Sequence, residues 1–344
     1  MTYIGDTKIK VANVYKSDLL NPITVEDAYA LSMKINNSDL FSWGKSPRTI
    51  SILPVAKGCQ AKCPFCFSHS SISEKVKQTR ESTQLIENFL VKAKIEGAER
   101  AVITGGGEPT MLPFDRLCNL VNICATYYDK VVMITNGYSI GRLNNEKRFA
   151  MLKTLEKNGL NVLSVSRHGT DDENNEKIMY LNTKSENISK TLYNYDSSFD
   201  NLKLRWVCVL QKGGVYDENT LEKYLKWVVD TGVTEICFKE LYVATSYESV
   251  YYDNKTNVWS RENQIPLSLV TSYMEKKDGK VINRLPWGSP IYSIIIDGIE
   301  LSIAAYTEPS VYWERINGVC RSWNVMSDGT CYASLEDKNS VIYL

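Results

Sequence analysis

The sequence predicts an α/β protein made of a partial (β/α)6 TIM-like barrel and a C-terminal α+β extension. Short apolar runs alternate with amphipathic helical patterns six times, which is typical of parallel strands joined by right-handed crossovers. The runs are almost continuously apolar, as in strands that are covered on both faces. Six units are fewer than the eight of a closed barrel, so we expect an open barrel over residues 48–242.

The elements of this barrel follow in order along the chain. The predicted strands are the apolar runs 49–55, 101–104, 130–135, 161–166, 202–210 and 235–241. Thr83 is expected to cap the first helix, which carries Ile86 and Phe89 on its apolar face and ends at Gly97. Later helical stripes are predicted around 117–124, 149–155, 184–194 and 221–229. Functional groups should lie at the carboxyl ends of the strands, where the βα loops converge.

Two regions flank the predicted barrel. Residues 1–47 form an N-terminal extension, in which 25–35 are predicted to be helical. Residues 243–344 form the C-terminal extension, and its first part, 243–290, is predicted to be loop-rich because Tyr, Asn and Ser recur in it. Two hairpins are expected, around Asp297-Gly298 and around Asp328-Gly329. Four tryptophans suggest a packed layer there: Trp259, Trp287, Trp313 and Trp323.

The composition excludes several classes of protein. Of 344 residues, 43% are hydrophobic and 23% are charged, so the chain is not disordered, collagen-like or coiled-coil. The 40 Lys and Arg residues balance 40 Asp and Glu residues, which gives no support to long nucleic acid as a partner. No basic segment leads into an apolar run at the start, and the run 291–296 is too short to cross a bilayer. We therefore expect a soluble, cytoplasmic protein with no membrane partner, whose nine cysteines are reduced.

Three of the cysteines lie close together directly after the first predicted strand. Cys59, Cys63 and Cys66 have the spacing C-x3-C-x2-C, which suits one loop wrapped around a compact centre. Thiolates are the usual ligands of iron–sulfur clusters and of zinc. Three thiolates on a four-iron cluster leave one iron open, and an open position distinguishes a reactive metal site from a structural one. A zinc site completed by His69 and three unligated thiols are the alternatives.

A glycine-rich segment follows the second predicted strand. Its sequence, Thr104-Gly105-Gly106-Gly107-Glu108-Pro109-Thr110, lets the backbone approach a ligand closely and presents the Glu108 carboxylate over the sheet. A plain βα turn is the alternative. The third strand ends in Thr135-Asn136-Gly137, where Asn-Gly by itself indicates only a turn.

The cysteine loop, with Phe65 before its third cysteine, and Gly-Gly-Glu-Pro after the second strand together resemble the radical S-adenosylmethionine (radical SAM) superfamily. The likeness covers roughly residues 48–242. It implies that the three cysteines hold a [4Fe-4S] cluster, whose open iron is chelated by the methionine part of S-adenosylmethionine (SAM). The residues that it assigns to SAM are Phe65, whose backbone lies near the adenine, and, at the methionine amino group, Gly105, Gly106, Gly107 and Glu108.

The resemblance also implies a reaction. In this superfamily, one electron entering the cluster cleaves SAM to methionine and a 5′-deoxyadenosyl radical, which removes a hydrogen atom from a substrate C–H bond. The implied cofactors are one [4Fe-4S] cluster and SAM, and the implied partner is an electron donor such as flavodoxin or ferredoxin. The cofactor carries the difficult chemistry, while the protein positions and shields it.

Three more residues are candidates for contacts with SAM. Ser166 ends the fourth strand, where a serine of similar enzymes touches the ribose or the carboxylate. Arg205 interrupts the apolar fifth strand and needs an acidic partner, which is either the SAM carboxylate or a protein carboxylate. Asn136 is a candidate for the ribose.

Candidates for substrate chemistry lie on the later strands. His168 is one of two histidines and is a candidate acid–base group, with a loop hydrogen bond as the alternative. Lys239, on the sixth strand, either faces the barrel interior or forms an ion pair at the edge of the core. Cys237 shares its parity and is a candidate hydrogen-atom donor, although buried free cysteines are usually inert packing.

The C-terminal tail resembles that of the GTP 3′,8-cyclase branch, where a C-x2-C-x13-C pattern holds a second cluster. Only Cys320 matches, because Asn317 and Ser334 occupy the other two ligand positions and Cys331 is out of phase. Two thiolates are too few for an ordinary cluster, so a single cluster and a hairpin cap are predicted. Arg321 matches an arginine of that tail and is a candidate for binding an anionic substrate, with a surface ion pair as the alternative.

The leading hypothesis is therefore a SAM-cleaving enzyme that abstracts hydrogen from a peptide or an amino-acid derivative. A nucleotide or a small sugar is the alternative substrate. From a different class, the alternative is a zinc-stabilised, non-catalytic binding module.

Overall fold

The fold is known from a computed structural model that describes residues 2–4, 7–9, 45–79, 82–193, 199–244, 249–285, 287–309, 314 and 320–344. Its strands are β1 (Thr2–Ile4), β2 (Thr7–Ile9), β3 (Pro47–Leu53), β4 (Arg100–Ile103), β5 (Val131–Thr135), β6 (Val162–Ser166), β7 (Lys203–Leu210), β8 (Glu235–Glu240), β9 (Lys280–Arg284), β10 (Pro290–Ile296), β11 (Ile299–Tyr306), β12 (Cys320–Met326) and β13 (Cys331–Tyr332). The six predicted barrel strands are confirmed as β3 to β8, each within two residues at either end. The helix predicted over 25–35 and Trp313 lie outside the described residues.

The helices of the described chain are α1 (Thr83–Ile95), α2 (Phe114–Tyr127), α3 (Tyr138–Gly141), α4 (Asn145–Lys157), α5 (Asp172–Met179), α6 (Glu186–Tyr193), α7 (Glu218–Asp230), α8 (Lys255–Asn263) and α9 (Ser268–Lys276). Short 3₁₀ turns lie at Phe67–Ser70, Ile72–Lys75 and Pro109–Met111. Thr83 is the first helical residue of α1 and not its cap, since Ser82 holds the N-cap position. Gly97 ends that helix region with a φ of 111°, in agreement with its predicted role. The prediction of a loop-rich segment over 243–290 was wrong, because α8, α9 and β9 lie there.

Eleven of the described strands form one sheet, in the order β13-β12-β3-β4-β5-β6-β7-β8-β11-β10-β9. The six barrel strands run parallel, as predicted. Both predicted hairpins are present, as β10–β11 and β12–β13. The sequence did not predict that these hairpins join the barrel sheet: β12 pairs parallel to β3, and β11 pairs parallel to β8. The C-terminal extension therefore adds one parallel strand to each edge of the predicted barrel.

The parallel part of the sheet curls, so that side chains at its two outermost strands, β11 and β12, come into contact. Glu308 follows β11 at one edge and Arg321 lies on β12 at the other, yet Arg321 Nη1 is 2.8 Å from Glu308 Oε2. In the described part of the chain, no backbone ladder joins β11 to β12. The barrel is therefore open at this seam, by which we mean the gap between β11 and β12, and side chains bridge it.

The core lies between the outer face of the sheet and the helices. On β8, Ile236 and Phe238 are buried in that core, whereas Cys237 and Lys239 point to the other face and are half-buried. The same alternation runs along β7. The sequence predicted strands that are covered on both faces. On β7 and β8 only the outer face is fully covered, and the inner face is partly accessible. None of the helices described in the structure is long and apolar enough to cross a membrane.

Candidate functional site

The candidate site lies where three neighbouring strands end. The cysteine loop follows β3, the glycine segment follows β4, and Asn136 follows β5. These strands are adjacent and parallel, so their carboxyl ends meet at the same edge of the sheet. The structure thus brings together the three segments that the sequence singled out.

The glycine segment packs against the backbone of the cysteine loop. A Cβ atom on Gly107 would lie 2.1 Å from the carbonyl oxygen of Gly58, and one on Gly106 would lie 2.5 Å from that of Ala56. Two short hydrogen bonds join the segments: Gly107 N donates to Val55 O at 2.7 Å, and Glu108 N donates to Gly58 O at 2.6 Å. These glycines therefore permit a close approach to the neighbouring loop, and their contact with SAM stays a prediction.

Glu108 is buried and turned into the protein. Its Oε1 accepts hydrogen bonds from the hydroxyls of Thr110, at 2.7 Å, and of Thr135, at 2.5 Å. Its Oε2 accepts from the backbone N–H of Asn136 at 2.8 Å. Burial raises the pKa of Glu108, and these donors oppose that shift by stabilising the carboxylate. Glu108 therefore ties the glycine segment to the end of β5.

Asn136 extends this network to the first cysteine. Its side-chain Nδ2 lies 3.7 Å from Cys59 Sγ and 3.2 Å from Gln60 Oε1, and it donates to both. Its Oδ1 accepts the backbone N–H of Tyr138 at 2.8 Å. Both ends of the amide thus have protein partners, but Oδ1 keeps a second lone-pair direction, so the contact of Asn136 with the ribose stays a prediction.

The three clustered cysteines are half-buried on one loop. Burial raises the pKa of each thiol, and at Cys63 the neighbouring sulfurs of Cys66 and Cys59 add to the effect, so the three sulfurs are in electrostatic reach of one another. Among the described residues, no three Cys, His, Asp or Glu side chains are gathered around one point for a single metal ion. In an iron–sulfur cluster each thiolate binds a different iron, so a cluster does not require that gathering.

The chemistry of this donor set fits an iron–sulfur cluster. Three thiols on a partly exposed loop are the ligands such clusters use, and the partial exposure leaves room for a further ligand. The loop is anchored from outside, since Lys62 N donates to Met179 O at 3.0 Å. His69 would be the fourth ligand in the zinc alternative, and its Nδ1 lies 3.4 Å from Glu74 Oε2.

Phe65 stands between two rings. The His168 ring meets it edge-on with the ring centres 5.3 Å apart, and the Trp259 ring lies tilted at 5.9 Å. Trp259 belongs to α8 of the C-terminal extension, so that extension reaches the cysteine loop. In the sequence, nothing but the number of tryptophans in the C-terminal extension pointed to this contact.

His168 makes the loop hydrogen bond that was the alternative to a catalytic role. It is buried, and its Nδ1 accepts the backbone N–H of Val209 at 3.1 Å. Burial and the nearby charge of Arg167 lower the pKa of His168 to about 3. The ring is therefore neutral near pH 7, and the prediction of an acid–base role finds no support in this geometry.

Arg205 makes the protein ion pair that was the alternative to SAM binding. Its Nη2 and Nε lie 2.7 Å and 3.1 Å from Glu235 Oε2. Arg205 is the third residue of β7, and Glu235 is the first of β8, so both lie towards the amino ends of their strands. The structure thus places Arg205 away from the cysteine loop, whereas Ser166 lies half-buried at the carboxyl end of β6, as predicted.

Lys239 and Cys237 share the inner face of β8, as their parity predicted. Lys239 Nζ pairs with Glu308 Oε1 at 2.9 Å and lies 4.9 Å from the centre of the Tyr306 ring. Burial alone would lower the pKa of Lys239, but the Glu308 charge raises it overall. Burial raises the pKa of Cys237, so that side chain is a thiol near pH 7.

Arg321 completes a partly buried ion network at the seam. Its Nε lies 2.9 Å from Glu314 Oε1, and its Nη1 reaches Glu308 as described above. Arg321 is thus in an ion pair, as in the alternative to substrate binding, but one partner, Glu314, is buried. Sequence reasoning missed Glu308 and Glu314, because neither belongs to a motif and one partner of Glu308, Lys239, lies 69 positions away in the chain.

The C-terminal cysteines lie in the core. Cys320 is fully buried, with its Sγ 3.7 Å from the Ala333 carbonyl oxygen, and Cys331 is buried on β13. Burial raises the pKa of both thiols. Ser334 is buried close by, while Asn317 lies outside the described residues.

Comparison with known proteins agrees with this site. The family model of the radical SAM superfamily matches residues 53–210, a range that contains the cysteine loop, the glycine segment and Asn136. No curated protein matches the sequence. Among solved structures, SuiB of Streptococcus suis bound to the precursor peptide SuiA is 16% identical, with a TM-score of 0.53 over 90% of this chain and 63% of SuiB. The protein anSMEcpe, solved with bound AdoMet, is 16% identical, with a TM-score of 0.50 over 84% of this chain and 71% of anSMEcpe.

At this identity the solved structures share the fold, and the chain spans about three fifths of the length of SuiB. The family match rests on the sequence itself and includes the motifs that form the site. The chain thus carries a radical SAM domain over residues 53–210. In that superfamily the cofactors are an iron–sulfur cluster and SAM, and the cysteine loop and the glycine segment lie within the matched range.

Proposed function

We propose that this enzyme holds one [4Fe-4S] cluster on Cys59, Cys63 and Cys66 and abstracts a hydrogen atom from a peptide or an amino-acid derivative. The observation that carries the proposal is the hydrogen-bonded unit formed by the cysteine loop, the glycine segment and the end of β5. With SAM and one electron from a donor such as flavodoxin or ferredoxin, the cluster supplies the 5′-deoxyadenosyl radical.

The glycine segment has acceptors for an amino group. Gly107 N and Glu108 N are already committed to the cysteine loop, whereas the carbonyl oxygens of the segment and the Glu108 carboxylate are acceptors. Glu108 Oε2 accepts from the Asn136 N–H and keeps a second lone-pair direction. An ammonium group such as that of methionine donates hydrogen bonds, so it matches this set of acceptors.

The charges on the inner face favour a peptide over a nucleotide. Lys239 and Arg321 are two cations that the structure places at the seam, and Glu308 and Glu314 form ion pairs with them. Burial raises the pKa of Glu308, yet the two cations bring it to about 2, so this carboxylate stays charged. A polyphosphate would have to displace these carboxylates, whereas a peptide carries few charges of its own. The likeness in fold to SuiB, solved with its precursor peptide, supports the same choice.

Metal analysis and SAM cleavage test the cluster assignment. Protein reconstituted without oxygen should carry about four irons with matching sulfide and, with dithionite and SAM, should form 5′-deoxyadenosine. Cys63→Ala should abolish that product, while Cys118→Ala, on α2 and outside the loop, should retain it. Zinc without acid-labile sulfide would overturn the cluster, and about eight irons would overturn the assignment of a single one.

Hydrogen transfer tests the substrate class. Peptides labelled with deuterium at their α or β carbons should pass deuterium to 5′-deoxyadenosine, which mass spectrometry detects. Transfer from labelled nucleotides or sugars, with none from peptides, would replace the proposed substrate class and leave the cluster assignment intact.

A further inference from the structure

Asn136 is held in one orientation beside the first cysteine. Its Oδ1 accepts the Tyr138 N–H at 2.8 Å, which turns the NH₂ end of the amide towards Cys59 Sγ, 3.7 Å away. The second hydrogen of that NH₂ group points to Gln60 Oε1 at 3.2 Å. An amide with three partners cannot rotate without losing hydrogen bonds, so the N–H···S contact is built into the site.

The backbone of Asn136 is fixed as firmly as its side chain. Its N–H donates to the buried Glu108 carboxylate, which also accepts the hydroxyl of Thr135, the last residue of β5. Asn136 itself is buried, with 7% of its surface exposed. The donor is thus carried by the end of β5 and by the glycine segment, and it also binds Gln60 of the cysteine loop whose sulfur it meets.

We propose that Asn136 is a positioning residue that raises the reduction potential of the cluster through its hydrogen bond to the Cys59 sulfur. The inference rests on the proposed cluster and adds a function that the sequence did not assign to Asn136. Reduction places extra negative charge on the iron and its sulfur ligands, and an N–H directed at a sulfur stabilises that charge. A higher potential favours acceptance of the electron that a low-potential protein donor supplies.

The test is a potentiometric titration of the reconstituted protein followed by electron paramagnetic resonance. Asn136→Ala removes the donor, and we expect the ratio of reduced to oxidised cluster at a fixed potential to fall about tenfold. For a one-electron couple this is a shift of about 59 mV to more negative potential. Asn136→Asp keeps an acceptor for the Tyr138 N–H but sets an oxygen against the sulfur, so its potential should fall at least as far.

Gln60→Ala is the matched control. It removes another partner of the same amide but leaves the hydrogen bond to sulfur, so its potential should stay near that of the wild type. Wild-type potentials in both Asn136 variants would overturn the inference. Loss of the cluster from both variants would also overturn it and would assign Asn136 to cluster retention instead. If the wild type itself binds no iron and sulfide, the proposed function fails first, so the two failures are distinguishable.

Discussion

The two sides of the barrel mouth are joined by different forces. Between β3 and β5, the cysteine loop and the glycine segment are joined by backbone hydrogen bonds and by neutral donors around one carboxylate. At the seam between β11 and β12, the contacts are partly buried ion pairs among Lys239, Glu308, Arg321 and the buried Glu314. The first region depends on backbone shape, and the second depends on every charge keeping its partner.

This difference decides how each region tolerates change. A backbone contact fails when an added atom separates the two segments, because no side chain can give way. A buried ion network fails when one partner is removed, because the remaining charge loses its compensation. Substitutions at each region can therefore show whether the two are as distinct as the geometry indicates.

Breaking the seam should have the largest effect. Arg321→Met removes the cation that pairs with Glu308 and with the buried Glu314, and we expect a loss of about 3–5 kcal/mol in the free energy of unfolding. Urea denaturation followed by circular dichroism measures it. Adding Glu314→Gln to Arg321→Met should recover part of the loss, because it removes an uncompensated charge.

The control for this prediction is a pair at the surface. Arg48 and Glu99 lie 2.6 Å apart but are largely exposed, so Arg48→Met should cost about 0–1 kcal/mol. Equal losses for Arg48→Met and Arg321→Met would show that burial at the seam does not matter and would contradict the comparison.

Gly107→Ala should disrupt the contact between the glycine segment and the cysteine loop, with a smaller loss in the free energy of unfolding than Arg321→Met. The new Cβ would stand 2.1 Å from Gly58 O, so the two segments must separate, at a cost of about 1–3 kcal/mol. Since Gly58 directly precedes Cys59, we also expect iron retention after reconstitution to fall well below that of the wild type.

Gly213→Ala separates the contact from backbone strain. Gly213 has a φ of 82° and nothing within 4 Å of its Cβ position, so alanine there costs about 1–2 kcal/mol through its backbone conformation alone. Iron retention should be unchanged in that variant. Full iron retention in Gly107→Ala would show that the close contact between the segments is not needed to hold the cluster.

The comparison also explains what could be predicted from the sequence. The barrel strands and the cysteine loop were predictable because each is local: β-branched runs mark the strands, and the motif lies in eight consecutive residues. Parallel pairing then brings the ends of neighbouring strands together, so the site between β3 and β5 followed. The seam was not predictable, because Lys239 and Arg321 are 82 positions apart (321 − 239) and no pattern links them.

Individual roles were harder to predict than positions. Arg205 and His168 lie where the strand pattern put them, but their partners, Glu235 and the Val209 N–H, depend on which face each side chain takes. The glycines were singled out for a ligand, whereas their close contact is with the neighbouring loop. Local sequence thus indicates which residues are special before tertiary contacts show what each one does.

The smallest expected effect is on how stability depends on pH. His168, beside the cysteine loop, and Glu240, on β8, should change the stability in opposite directions as the pH rises. His168, which packs on Phe65 of the cysteine loop, has its pKa lowered to about 3 from 6.5, so between these values only the unfolded chain binds the proton and stability rises with pH. Glu240, at the end of β8, has its pKa raised to about 8 from 4.5 by burial, so the folded chain keeps the proton and stability falls as pH rises. Each slope is about 1.4 kcal/mol per pH unit, and the two cancel where they overlap. Between pH 5.5 and 6.5, His168→Asn should therefore lose stability relative to wild type as pH rises, and Glu240→Gln should gain it. Urea titrations of the reconstituted protein measure both, and curves parallel to the wild type would show that burial shifts neither pKa in the folded chain.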